Sequence, residues 1–99
     1  MLVHVVFFWL KKNLSESDKA KFVQGIESIA AVKSLKGFHV GAPAPTAKRP
    51  SIDDSYDFGL YTSFENIAGH DEYQKDPIHL QFLENCKHLW ESVKVYDFS

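Results

Sequence analysis

A chain of 99 residues with a formal net charge of -2 has room for one hydrophobic core, and its 11 Lys and Arg are scattered instead of forming the basic stripe of a nucleic-acid-binding surface. The single cysteine, Cys86, cannot close an intrachain disulfide, which suits a reducing, cytoplasmic setting. The apolar opening Met1–Leu10 lacks the basic n-region and cleavage site of a secretion signal and is shorter than the roughly 20 residues of a membrane span.

A domain of this size buries only a little over roughly 60% of its unfolded surface, so a second copy is an effective way to cover more apolar area. The run Leu2 to Leu10 is β-branched and aromatic, and apolar at both alternating sets of positions: Val3, Val5, Phe7, Trp9 on one side and His4, Val6, Phe8, Leu10 on the other. A strand of that kind has to be covered on both faces. Ser15 followed by Asp18 resembles a capping box, and Phe22, Val23, Ile26, Ile29, Ala30 and Val32 recur at helical spacing, which predicts a helix of about five turns stopped by Gly37.

Phe38 to Ala42 reads as a second strand, and Pro43, Pro45 and Pro50 impose an extended, irregular connection through Ser55. Tyr56 to Thr62 alternates Phe58, Leu60 and Thr62 against Asp57, Gly59 and Tyr61, predicting a third strand. Ser63 then offers a cap for a helix from Phe64 to Lys75, and the Asp76-Pro77 pair ends that helix and starts another, carrying Ile78, Phe82, Cys86, Leu89 and Trp90 on one apolar face. Ser92 to Phe98 closes the chain as a fourth strand, with Val93 and Val95 alternating against Lys94, Tyr96 and Phe98.

The order is βαββααβ, which predicts an α+β, ferredoxin-like fold: one domain over residues 1–99 with a four-stranded antiparallel sheet and both helical segments on one face. The other face would lie bare in a monomer. The predicted answer is a homodimer packed sheet face to sheet face, a dimeric α+β barrel.

The strand LVHVVFFWL with His4, the segments GFHVG and YDFGLYTSFEN, and EYQKDPIHLQF followed by VKVYDFS resemble the stress-responsive dimeric A/B barrel (Dabb) family over essentially the whole chain. The resemblance implies the same dimeric barrel and a stress-response association. One branch of that family, represented by plant olivetolic acid cyclase, a polyketide cyclase, uses a histidine in the helix after a proline, a tyrosine in the preceding helix and a histidine in the first strand. His79, Tyr73 and His4 fall on those positions, whereas Asp76 stands where the cyclase has a histidine before its proline.

In an unbroken helix Tyr73 and His79 would be about 240° apart. The break at Asp76-Pro77 re-aims the second helix and allows phenol and imidazole to converge. His79 falls in a first helical turn, where the helix N-terminus disfavours an imidazolium, while Asp76 one turn earlier favours it. The chemistry expected of such a trio is proton abstraction next to a carbonyl by His79, hydrogen bonding of the developing oxyanion by Tyr73, and assistance from His4, with no cofactor.

Taken one at a time, the same residues also fit plainer roles: His79 solvated, Tyr73 on a rim, His4 in a dimer interface. His39, His70 and His88 lie on separate segments without the spacing of a metal site, Cys86 reads as a small buried apolar residue, and Lys48 and Arg49 in the proline-rich loop are candidates for an anionic ligand group. Three readings of function stay open: a cyclase- or isomerase-type enzyme, a dimer that binds a small apolar or carbonyl ligand without turnover, and a purely structural stress-response dimer. A cofactor-independent monooxygenase is a further enzymatic option.

Overall fold

The alternation along Leu2–Leu10, strand β1, decides the layering: Leu2, His4, Val6 and Phe8 are buried, while Val3, Val5, Phe7 and Trp9 are only half buried. A computed structural model describes residues 1–99. β1 is followed by helix α1 (Glu16–Ser28), strands β2 (Gly37–Gly41) and β3 (Phe58–Phe64), helices α2 (Ile67–Lys75) and α3 (Pro77–Cys86), and strand β4 (Trp90–Phe98). All pairings are antiparallel and the sheet order is β2-β3-β1-β4. Each helical connection therefore skips one strand, which is the predicted ferredoxin-like arrangement. No helix is long and apolar enough to cross a membrane.

The register puts His4, Val6 and Phe8 beside Thr62, Leu60 and Phe58 on β3 and beside Asp97, Val95 and Val93 on β4. This is the face the helices cover. Phe22 of α1 meets Phe8 at 5.3 Å between ring centroids, and Phe82 of α3 and Trp90 close the cluster at 6.0 Å and 6.4 Å from Phe22. Such offset and edge-on aromatic pairs add specific attraction to their burial. Gly25 lets α1 approach α3: a Cβ there would stand 2.6 Å from the Cys86 sulfur and 3.2 Å from the Phe82 ring, so the close approach depends on glycine.

Several boundaries differ from the sequence reading, by one or two residues at the starts of β2 and β3 and more tellingly at three places. α1 stops at Ser28 and tightens into a 3-10 turn, Ile29–Ala31, and Gly37 opens β2 with an ordinary φ instead of capping the helix. Ile29 and Val32 still reach the core, which is why the apolar spacing continued past the helix end. β3 runs on to Phe64, and the cap of α2 is Asn66, whose side chain accepts from the Gly69 amide at 3.0 Å. Ser63 looked equally able to cap, but Leu60, Thr62 and Phe64 continue the buried face of the strand. Lastly, α3 ends at Cys86, and Leu89 and Trp90 enter the core from a turn and from the start of β4. The caps at Ser15, accepting from the Asp18 amide at 3.1 Å, and at Asp76, accepting from the Ile78 amide at 2.8 Å with Pro77 at the first helical position, stand where they were expected.

The connection between β2 and β3 is pinned to β1. The Asp57 side chain accepts from the Leu10 amide at 2.7 Å, Trp9 donates from Nε1 to Ser55 at 3.1 Å, and Tyr56 lies against Phe7 with ring centroids 4.8 Å apart. Lys48 pairs with Asp54, and Arg49 donates to Ser51 within the same loop. Neither cation is directed at a cavity lined by the candidate site residues.

Candidate functional site

β1, α2 and α3 bring His4, Tyr73 and His79 together under the helical layer. The Tyr73 and His79 rings are 4.5 Å apart between centroids, and His4 meets Tyr73 edge-on at 5.8 Å. The proline break accomplishes this: Asp76 leaves helical geometry with ψ near 134°, and α3 restarts in a new direction with His79 in its first turn. All three are buried, Tyr73 to 1% exposure, His4 to 5% and His79 to 8%. The solvated and rim placements of His79 and Tyr73 are thereby set aside. His4 likewise lies on the helix-covered face and not on the open one.

The three side chains share the wall of a cavity of about 210 Å³ with Phe8, Leu60, Phe82 and Trp90. Its mouth lies at β4. Val93 and Val95 occupy the helix-side face of this edge strand yet remain 40% and 50% exposed, because the helical layer stops short of them. A second hollow of about 300 Å³, bounded by Val5, Phe7, His39, Tyr56 and Tyr61, lies on the open sheet face. It is larger, but it holds none of the buried titratable groups.

Inside the first cavity the electrostatics favour neutral groups. Burial pulls the His79 pKa below its ordinary 6.5; the Gln74 main-chain carbonyl opposes this, His4 and His70 add to it, and Asp76 opposes it weakly. The tension between helix terminus and Asp76 is thus decided by a third factor, desolvation. Nδ1 of His79 is buried and makes no hydrogen bond of ordinary geometry, although the Gln74 carbonyl lies near enough to act on the ring. Burial also pushes the Tyr73 phenol well above its usual range, so it remains a neutral O–H donor. His4 is lowered by burial and pulled back by Asp97.

Asp97 and His70 complete the cluster, and the sequence reading assigned a role to neither. Asp97 stands opposite His4 in the register, and its carboxylate meets His4 Nδ1 at 2.5 Å. His70, set aside as an isolated histidine, packs against His4 with centroids 4.7 Å apart and lies roughly parallel to Tyr73 at 6.2 Å. Both had a local signal: Asp97 continues the alternation of Val93 and Val95, and His70 is one helical turn before Tyr73. Cys86 behaves as expected, fully buried with its thiol pushed up by burial.

Comparison with known proteins agrees with this architecture. The chain superimposes on a dimeric ferredoxin-like protein of unknown function from Thermobifida fusca with a TM-score of 0.79 and 19% identity, covering 99% of this chain and 89% of that one. A Dabb family protein with a ferredoxin-like fold from Mesorhizobium loti gives 0.77 and 23%, covering 99% and 94%. The hydroxynitrile lyase of Passiflora edulis gives 0.78 and 17%, covering 98% and 90%. Among curated proteins no sequence matches the chain. The family profile described as the Stress Responsive A/B Barrel Domain matches residues 2–99, and the chain belongs to that family, Dabb.

Proposed function

We propose that this Dabb protein binds a small, largely apolar carbonyl compound in the cavity beneath α2 and α3 and moves a proton on it, as a cyclase or isomerase does. The observation that carries the reading is the convergence of three buried polar side chains, His79, Tyr73 and His4, on the wall of one largely apolar cavity. A neutral imidazole accepts a proton from a carbon next to the carbonyl, the electron pair moves onto the carbonyl oxygen, and the Tyr73 hydroxyl donates a hydrogen bond to that oxygen. The enolate carbon then either attacks a second carbonyl, closing a ring, or is reprotonated elsewhere. His4, oriented by Asp97, supplies a further polar contact. That a similarly folded protein is a hydroxynitrile lyase supports the fold as a host for an enzyme.

The test is solvent deuterium exchange. With a panel of aryl methyl ketones and 1,3-diketones in D2O, the full chain is expected to speed loss of the α-proton signals above the buffer rate for at least one compound. Shifts in protein resonances around the cavity without any exchange would replace this reading with binding alone. Silence in both would remove it.

The assembly proposed is a homodimer through the open sheet face. Val5 at its centre is flanked in register by Tyr61 and Tyr96, and Tyr96 and Phe98 are 54% and 59% exposed in a single chain. A contiguous aromatic and aliphatic surface of this kind marks an interface, and the similar Thermobifida fusca protein is dimeric. Val5→Lys, which places a charge at the centre of that face while leaving the helix side untouched, is expected to halve the mass measured by sedimentation. A variant that still sediments as a dimer would move the interface elsewhere.

A further inference from the structure

His4, His70 and Asp97 come from three different elements, β1, α2 and β4, and one ligand-competent atom of each lies within 4.8 Å of the others. We propose that they form a binding site for one divalent transition-metal ion of the zinc class. The proposal shares His4 with the reading above but does not rest on it, since Tyr73 and His79 are not ligands and the proton transfer does not pass through the ion.

The donor set selects the kind of ion. Two imidazoles and one carboxylate suit Zn(II), Co(II), Ni(II) or Fe(II), whereas Mg(II) and Ca(II) call for oxygen donors. The charges that act on His4 are those of Asp97 and His70, with no Lys or Arg among them. Three protein ligands leave a coordination position free, and the Asp97 side chain, 47% exposed, opens that position to solvent.

The geometry is close to what an ion requires. Metal–ligand bonds of about 2.0–2.2 Å bring the donor atoms to roughly 3–3.5 Å from one another, so the cluster must contract by about 1 Å or somewhat more. Two of the three groups are placed to allow it. Asp97 lies on an edge strand, and the His70 ring, 17% exposed, packs on Phe64 at 5.6 Å and Tyr73 at 6.2 Å with Nε2 3.1 Å from Gln74 Nε2 and Nδ1 3.7 Å from Asp71, contacts at the helix surface of which an ion would displace one. The third, His4, is fixed in the central sheet, and its 2.5 Å hydrogen bond to Asp97 has to open to the roughly 3 Å that separates two donors on one ion. An ion held here would clamp the last strand to α2.

Cobalt and zinc titrations of the chelator-treated full chain test this. Co(II) is expected to develop visible d–d absorption that saturates at one ion per chain with a dissociation constant of about 10 µM or tighter, and Zn(II) is expected to bleach it. His70→Ala and Asp97→Asn should each weaken binding at least about tenfold, with circular dichroism confirming that both remain folded, and His79→Ala should leave it unchanged. Because the readout is absorption, failure of the catalytic reading leaves this result intact. Sub-stoichiometric binding, affinity weaker than about 100 µM, or wild-type binding by both ligand variants would overturn the site and reduce His4 and Asp97 to a hydrogen-bonded pair.

Discussion

Phe22→Ala is expected to cost about 3–5 kcal/mol of stability, the largest loss from any single truncation in this chain. Phe22 is fully buried on α1, and its ring meets those of Phe8, Phe58, Phe82 and Trp90 at centroid distances of 5.3, 5.3, 6.0 and 6.4 Å. It touches the sheet, α3 and the start of β4 at once, so no single element can shift to fill the hole. For a domain of about 100 residues each kcal/mol moves the melting temperature by roughly 4–8 °C, so thermal unfolding should show a drop of at least about 12 °C. The effect reaches the site because Phe8, Phe82 and Trp90 also wall the cavity. A loss below about 1 kcal/mol would mean that these rings repack into the space, and the cavity boundary would then be softer than its packing implies.

That cluster also separates what the sequence made legible from what it concealed. The two faces of β1 could be read from LVHVVFFWL because strand alternation is a local property. The Asp76-Pro77 break could be read because proline and an aspartate cap act on their immediate neighbours, and the convergence of Tyr73 on His79 follows from that break. Boundaries were less secure where two residues offered the same local chemistry, as Ser63 and Asn66 did for the α2 cap, since the choice is made by the burial of Thr62 and Phe64. Alternation with Val93 and Val95 gave the strand face of Asp97 but not its contact with His4. That contact depends on the register between strands 93 residues apart, set by the hydrophobic faces of the whole sheet. The direction of the His79 pKa shift was left open between the helix terminus and Asp76, and burial, a tertiary property that neither neighbour reveals, decides it downward.

His79→Ala is expected to slow α-proton exchange by about 10²- to 10⁴-fold, the contribution typical of a positioned general base, while a ligand still perturbs the resonances of the cavity. Tyr73→Phe should also reduce the rate without changing its pH profile, because it removes a hydrogen-bond donor and not the titrating group. The profile follows from burial: the His79 pKa lies below 6.5, so the neutral imidazole predominates at pH 7 and the rate should be flat there, then fall on the acid side of 6.5. Stability has the same direction for a related reason. Between the lowered pKa of the folded state and the ordinary value in the unfolded chain, the unfolded chain binds more protons, so stability present above 6.5 is lost as the pH falls through that window. His4 is lowered as well, so His79→Ala should remove only part of this acid sensitivity while removing nearly all of the exchange. A rate that instead falls with a midpoint above 6.5, or exchange that survives His79→Ala, would place the proton acceptor on another group; His4, held by Asp97 at the same cavity wall, is the next to examine.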